Sequence, residues 1–423
     1  MNHDDTMSRR LSYASHNSLE GLLQRGRGLG AVRAAQDPAG AAPLVYDGIR
    51  RDWKWHEQGD GRAHYQARLI RDLDLSPTPV VDQLMGDEGE WSRASYVLEL
   101  LALAGSDEAR EGLRAYVREG EHWVRVLESV ATDWPAEWWE DLGDVARRRI
   151  DREEDPLQSC EPWIRFGMAP AVAPRPSLDG LSDEQLLALL AADGTEYNTK
   201  VASLRALCGR PPVEGLIPLV PSLGIADGRR TMPWLRRTVV DHLGALAVPA
   251  AREWAADERE WLSRLGMDVL ANHPAPEALP GLVTELAEQW QRRDWCGPDE
   301  TAKRLARFGS AAAQAAPVLR RLWLRTPHSY ERADYLTALA AIDPFGLEDM
   351  YTESLWDCEE RSRLLGIASA PLQPQTWERI TVLRDDPMEF PSVRVAAGAR
   401  LASVAGPCVP SAKTVPGSGA SAK

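Results

Sequence analysis

Residues 301–325 read TAKRLARFGSAAAQAAPVLRRLWLR, and they carry the pattern on which the fold turns. Ala315, Val318, Leu319, Leu322 and Trp323 recur at i, i+3, i+4, i+7 and i+8, the one-sided apolar stripe of an amphipathic helix. Gly309 interrupts the helical run before it, and Pro317 stands in the first turn of the next helix, where a missing N–H costs least. The stretch therefore reads as helix, turn, helix. A second stripe, Leu279, Leu282, Val283, Leu286, Ala287 and Trp290, repeats the pattern, while the period-two alternation of a half-buried strand is almost absent from the chain. An apolar stripe needs a neighbour to cover it, so the fold class expected is all-α.

Working outward, such pairs recur. Trp91–Glu119 turns at Gly105-Ser106, Ser203–Leu223 at Gly209 to Pro212, and Leu235–Ala256 near Val248-Pro249. Glu260–Trp290 turns at His273 to Pro276, Thr301–Arg325 at Gly309, Glu331–Trp356 at Asp343-Pro344, and Arg361–Leu383 at Pro371 to Pro374. Arg237, Arg264, Arg304, Arg332, Arg361 and Arg394 mark successive first helices at a spacing of roughly 30–40 residues, the period of two-helix solenoid units. The expectation is a right-handed α-α superhelix of about nine or ten helix pairs, each shielding the next in order.

Lys303 to Gly309 followed by Ala315-Ala316-Pro317-Val318-Leu319, and Val393 to Leu401, resemble bacterial HEAT repeats of the PBS-lyase type. The resemblance runs over 85–405 and extends to actinobacterial members with Trp-rich N-terminal halves. It implies an α-solenoid of the HEAT/ARM-like kind and brings no catalytic residue with it.

The chain is 423 residues long, 44% hydrophobic and 26% charged, enough for a large core. Its net charge of −14 disfavours nucleic acid and anionic membranes as partners. Five scattered cysteines, Cys160, Cys208, Cys296, Cys358 and Cys408, form no CxxC pair, and no apolar run approaches the ~20 residues of a membrane span, so a cytoplasmic, membrane-free protein is expected. Composition divides it into a loose start at 1–18, an acidic Trp-rich helical half at 19–155, a Pro-rich linker or insertion at 156–180, a HEAT-like array at 181–405 and a disordered tail at 406–423.

The charge is concentrated. Between Asp82 and Asp144 sixteen acids face five arginines, a net of −11. This is either a solvated outer face or a surface that steers a cationic partner. Within it lies DWPAEWWED, 133–141, with Asp133 as expected N-cap and Pro135 in the first turn. Trp134, Trp138 and Trp139 beside Glu137, Glu140 and Asp141 could cage an Arg, Lys or quaternary ammonium group, or the rings could be core. With Trp91 and Trp123 these residues are the candidate partner-binding set, because Trp and Arg dominate binding hot spots.

No catalytic residue, cofactor or metal site is expected: HExxH, GxSxG and the P-loop are missing, and Gly26-Arg27-Gly28-Leu29-Gly30 lacks the GxGxxG spacing and reads as a flexible inter-helix turn. The function expected is a non-enzymatic scaffold holding a basic protein segment. Two alternatives stay open. One is a HEAT-like DNA glycosylase using runs such as Arg147-Arg148-Arg149, Arg236-Arg237 and Arg292-Arg293. The other is a small-molecule or chromophore-handling HEAT protein with an enclosed aromatic pocket. All 44 arginines, spread over every helix, blur any argument from arginine alone.

Overall fold

A computed structural model describes residues 13–51, 61–86, 88–150, 160–169, 178, 180–225 and 230–405. Among these residues the chain is helical with no strand, and an isolated bridge joins Gly224 to Thr231. Packing divides the chain into two compact units: residues up to Val126 together with those from Glu348 onward, and Leu127–Leu347. The compositional boundary at 156–180 falls inside the second unit, with 151–159 and 170–177 outside the described residues, as are 1–12 and 406–423.

The first unit opens with α1 (Leu19–Gln24), α2 (Gly28–Gln36), α3 (Pro38–Arg50), α4 (Arg62–Asp72), α5 (Thr78–Asp82), α6 (Glu88–Leu103) and α7 (Asp107–Glu119), and α8 (Trp123–Asp133) begins in it. Residues 13–18, expected to be loose, are tied in: the Ser18 hydroxyl caps α1 by accepting from Gly21 N, and Arg25 Nη1 donates to Ala14 O at 3.0 Å. The α6–α7 hairpin turns at Gly105, whose φ of 100° suits glycine, and Ser106 caps α7.

The second unit holds most of α8, then α9 (Gly143–Ile150), α10 (Asp183–Ala191), α11 (Tyr197–Cys208), α12 (Val248–Trp254), α13 (Glu260–Asn272), α14 (Leu279–Arg292), α15 (Pro298–Ala306), α16 (Ala316–Arg325) and α17 (Arg332–Ile342). Neighbouring helices pack as pairs, α10 on α11, α12 on α13, α14 on α15 and α16 on α17. Leu186, Leu204, Leu216, Val239, Leu262 and Val269 are buried in one continuous core cluster. Two expected helices differ. Residues 214–222 wind as a 3₁₀ helix, because Pro218 and Pro221 remove the N–H donors an α-helix needs there. Residues 237–247 form a π-helix followed by a 3₁₀ turn instead of a regular first helix.

The chain then returns to the first unit with α18 (Glu348–Ser354), α19 (Glu360–Ser369), α20 (Pro374–Asp385) and α21 (Pro391–Ala405). These helices pack on one another and also on the start of the chain, α18 against α2. An array in which each pair meets only its sequence neighbours does not produce that contact. Glycine makes it possible: a Cβ on Gly28 would lie 2.0 Å from Glu353 O, and one on Gly61 2.0 Å from Cys358 O. The Gly26-to-Gly30 run is therefore a close-packed seat for 353–358, where a flexible turn was expected. Gly26 O accepts from Cys358 N at 2.9 Å, and Arg27 donates twice to Glu353, at 2.8 and 2.6 Å.

Candidate functional site

The sequence placed partner binding on residues 91–141, and burial sorts that set in two. Trp91, Trp123, Trp134 and Trp139 are 4%, 1%, 5% and 2% exposed, too little for any of these rings to meet a partner. Each contributes about 3–5 kcal/mol as core on the scale of large-to-small truncation. In the first unit Trp91 stacks on His122, with centroids 4.5 Å apart. In the second unit Trp139 meets Phe166 edge-on at 5.7 Å, Phe166 meets Trp163, and Trp163 Nε1 donates to Glu128 Oε1 at 2.6 Å.

The 133–141 segment also differs in backbone from expectation. Asp133 ends α8 instead of capping a new helix, because Trp134 N still bonds back to Val130 O. Pro135 is extended, and two short 3₁₀ turns, Ala136–Trp138 and Glu140–Leu142, follow. Three tryptophans therefore do not share a helical face. Trp138 is half-buried and packs edge-on against Trp134, 5.6 Å between centroids. The guanidinium of Arg165 lies 5.4 Å from the Trp139 ring and 4.0 Å from Glu140, so the chain supplies its own cation where a ligand's was expected.

The carboxylates do reach solvent. Glu137, Glu140 and Asp141 are exposed, as are Asp133 and Asp144 in the second unit and Asp107, Glu108, Glu111, Glu119 and Glu121 in the first. Several are partly neutralised by neighbours: Asp107 by Arg110, Glu111 by Arg114 and Asp144 by Arg147, all at i,i+3. The arginine runs considered for a nucleic-acid backbone are tied down in the same way, Arg236 to Asp268 at 2.7 Å and Arg292 to Asp294 and Glu288. An open cleft of about 550 Å³ in the second unit is lined by Glu128, Ser129, Ala131, Thr132, Cys160 and Glu161, with no aromatic ring among them.

A second constellation lies in the first unit, at residues the sequence reading did not select. Glu389, with no side-chain exposure, accepts from Arg68 Nη1 at 2.8 Å and Arg363 Nη2 at 2.6 Å. Arg68 Nη2 also donates to Asp357 O, and Arg363 Nη1 to Asp357 O and Cys358 O, so the two guanidiniums satisfy carbonyls of the turn after α18. Arg71 binds Asp386 at 2.7 and 3.1 Å. Burial alone would raise the Glu389 carboxyl, but Arg68 and Arg363 outweigh it and hold the group below its ordinary range. The His64 ring packs at a tilt on Phe390, centroids 4.4 Å apart, and burial together with Arg68 and Arg363 pulls its pKa down to about 4. Arg379, 7% exposed, donates Nε to Leu355 O at 3.2 Å and lies 5.4 Å from the Trp356 ring.

In the second unit a third polar knot joins the α16–α17 turn. Glu331, fully buried, is bonded by Thr326 Oγ1 at 2.9 Å, Tyr335 Oη at 2.7 Å and His328 Nδ1 at 3.0 Å. Burial raises its carboxyl pKa against the His328 hydrogen bond. Its donors come from the turn and its own helix, which makes it a staple of that turn.

Among the described residues no group of three His, Cys, Asp or Glu side chains is placed to hold a metal ion, and no helix is long and apolar enough to cross a membrane. No protein family, curated protein or solved structure matches the chain.

Proposed function

We propose that this chain is a non-enzymatic interaction scaffold built of packed helices, HEAT-like in its sequence pattern though its last helices also meet its first, working in the cytoplasm and holding a basic segment of a partner protein through surface carboxylates. The observation that carries the reading is the exposure of Asp133, Glu137, Glu140 and Asp141 in the second unit of a chain of net charge −14, with Trp134 and Trp139 of the same segment committed to the core. Exposed carboxylates raise the rate of encounter with a cationic segment and set its orientation, and their attraction fades as salt shortens the Debye length. The half-buried Trp138 is the aromatic ring of the candidate set that a partner side chain can still touch.

The test is fluorescence anisotropy with a labelled arginine-rich peptide at low and high salt. The expected result is binding that weakens steeply with salt, and at least about tenfold weaker binding to a variant carrying Asp133→Lys, Glu137→Lys, Glu140→Lys and Asp141→Lys. Salt-independent binding, or an affinity the four substitutions leave unchanged, would remove the reading.

A further inference from the structure

Arg379 stands apart from the other cations of the first unit. Arg68 and Arg363 share Glu389, Arg71 holds Asp386, and Arg27 holds Glu353. Arg379 is more than nine-tenths buried, yet among the described residues no carboxylate comes within ion-pair distance of it. Its nearest charged neighbours include two more arginines, Arg68 and Arg363, which repel it. Asp72 and Glu389 attract it, but both are already engaged, by Arg71 and by Arg68 and Arg363. Burial and that repulsion bring its pKa down to about 9. An uncompensated guanidinium at this depth is costly, and such groups persist in proteins when something neutralises them.

The geometry of the side chain says what could. Nε is used on Leu355 O, and the guanidinium plane rests near Trp356, so the fork is held in place. Neither terminal nitrogen makes a hydrogen bond within the described residues, and neither is among the fully buried unpaired polar atoms, so solvent reaches both. The two N–H donors of the fork, nearly buried but reached by solvent, fit the two oxygens of a carboxylate or phosphate group. The small residual exposure suits a small anion and leaves no room for a folded partner.

We propose that Arg379, in the positive field of Arg68 and Arg363, forms a binding site for a small free oxyanion of the phosphate or carboxylate class. The bound anion would supply the negative charge that Glu389, shared between two arginines, cannot extend to a third. The site is independent of the acidic surface residues and of their proposed partner.

The experiment uses the full chain in isothermal titration calorimetry and thermal unfolding, with inorganic phosphate, acetate and chloride at matched ionic strength. Phosphate or acetate is expected to bind saturably and raise Tm where chloride does not, the two arms distinguishing a tetrahedral from a planar ligand. Arg379→Gln should weaken that binding about tenfold to a hundredfold, the loss of charged hydrogen bonds to the anion. Asp72→Ala, which removes a competing negative charge near the fork, should tighten it about threefold. If neither oxyanion binds the unaltered chain more tightly than chloride, the proposal is wrong whatever the variants do. It is equally wrong if Arg379→Gln folds and binds the oxyanion undiminished.

Discussion

Replacing Glu389 by Gln tests the interior of the first unit with a change of almost no volume. The carboxylate has no exposure and takes hydrogen bonds from Arg68 at 2.8 Å, Arg363 at 2.6 Å and the Phe390 amide at 2.9 Å. Gln keeps one acceptor but turns an NH₂ toward the other guanidinium and removes the negative charge that both arginines bind. Removing one partner of a buried pair costs about 3–5 kcal/mol, because the remaining ions stay desolvated and uncompensated. Domains of ordinary stability have about 5–15 kcal/mol in total, so the loss should move the unfolding midpoint far outside error. Urea denaturation followed by circular dichroism and by tryptophan fluorescence reads it, with Glu137→Gln on the surface as a control expected within about 0.5 kcal/mol. A Glu389→Gln loss below about 1 kcal/mol would refute the claim that this carboxylate is the shared counter-ion of Arg68 and Arg363.

Acid should weaken the same unit early. His64 is buried and drops from 6.5 to about 4 on folding, so the neutral ring favours the folded state above pH 6.5, and that contribution is lost as pH falls from 6.5 toward 4, up to about 3 kcal/mol. His64→Phe should flatten the stability profile across that window, and a wild-type profile already flat there would contradict it. Below it, stability should fall again as Glu389 and Asp386, both depressed, are protonated. Gly28→Val should cost at least about 3 kcal/mol by driving 353–358 off its seat, whereas Gly281→Ala, on α14 with open space around it, should gain up to about 1 kcal/mol; equal effects in thermal unfolding would undo the close-packing argument. Trp139→Ala should lose about 3–5 kcal/mol and Trp138→Ala clearly less, and the reverse order would mean the core and the surface have been exchanged.

The helices and several of their turns were legible because periodicity and punctuation are local, but the pairing was legible for α6 on α7 and not for α15, which packs on α14 and α17 where the sequence paired it with α16. Gly105-Ser106, Gly309 and Asp343-Pro344 break helices where the sequence says they should. Local signals also misled. Asp133 and Pro135 have the chemistry of a helix start, yet α8 runs through to Asp133 and Trp134 still bonds back into it. Which tryptophans face inward was not legible, since that depends on Phe166 and Trp163 arriving from later in the chain. The buried charge cluster was hidden for a different reason. Arg68 and Glu389 are 321 positions apart, and one arginine among 44 carries no mark of what it will meet. The glycines were the available clue: Gly26 and Gly28, in a run that lacks the GxGxxG spacing, and Gly61 are close-approach glycines.

A double-mutant cycle on Arg27 and Glu353, using Arg27→Met and Glu353→Leu singly and together, asks most directly whether the beginning and end of the chain are built into one another. The pair is bidentate, at 2.8 and 2.6 Å, and nearly buried on the arginine side. A coupling free energy of about 1–3 kcal/mol is expected for such a contact, whereas losses that simply add would mean α2 and α18 are not neighbours in the folded protein.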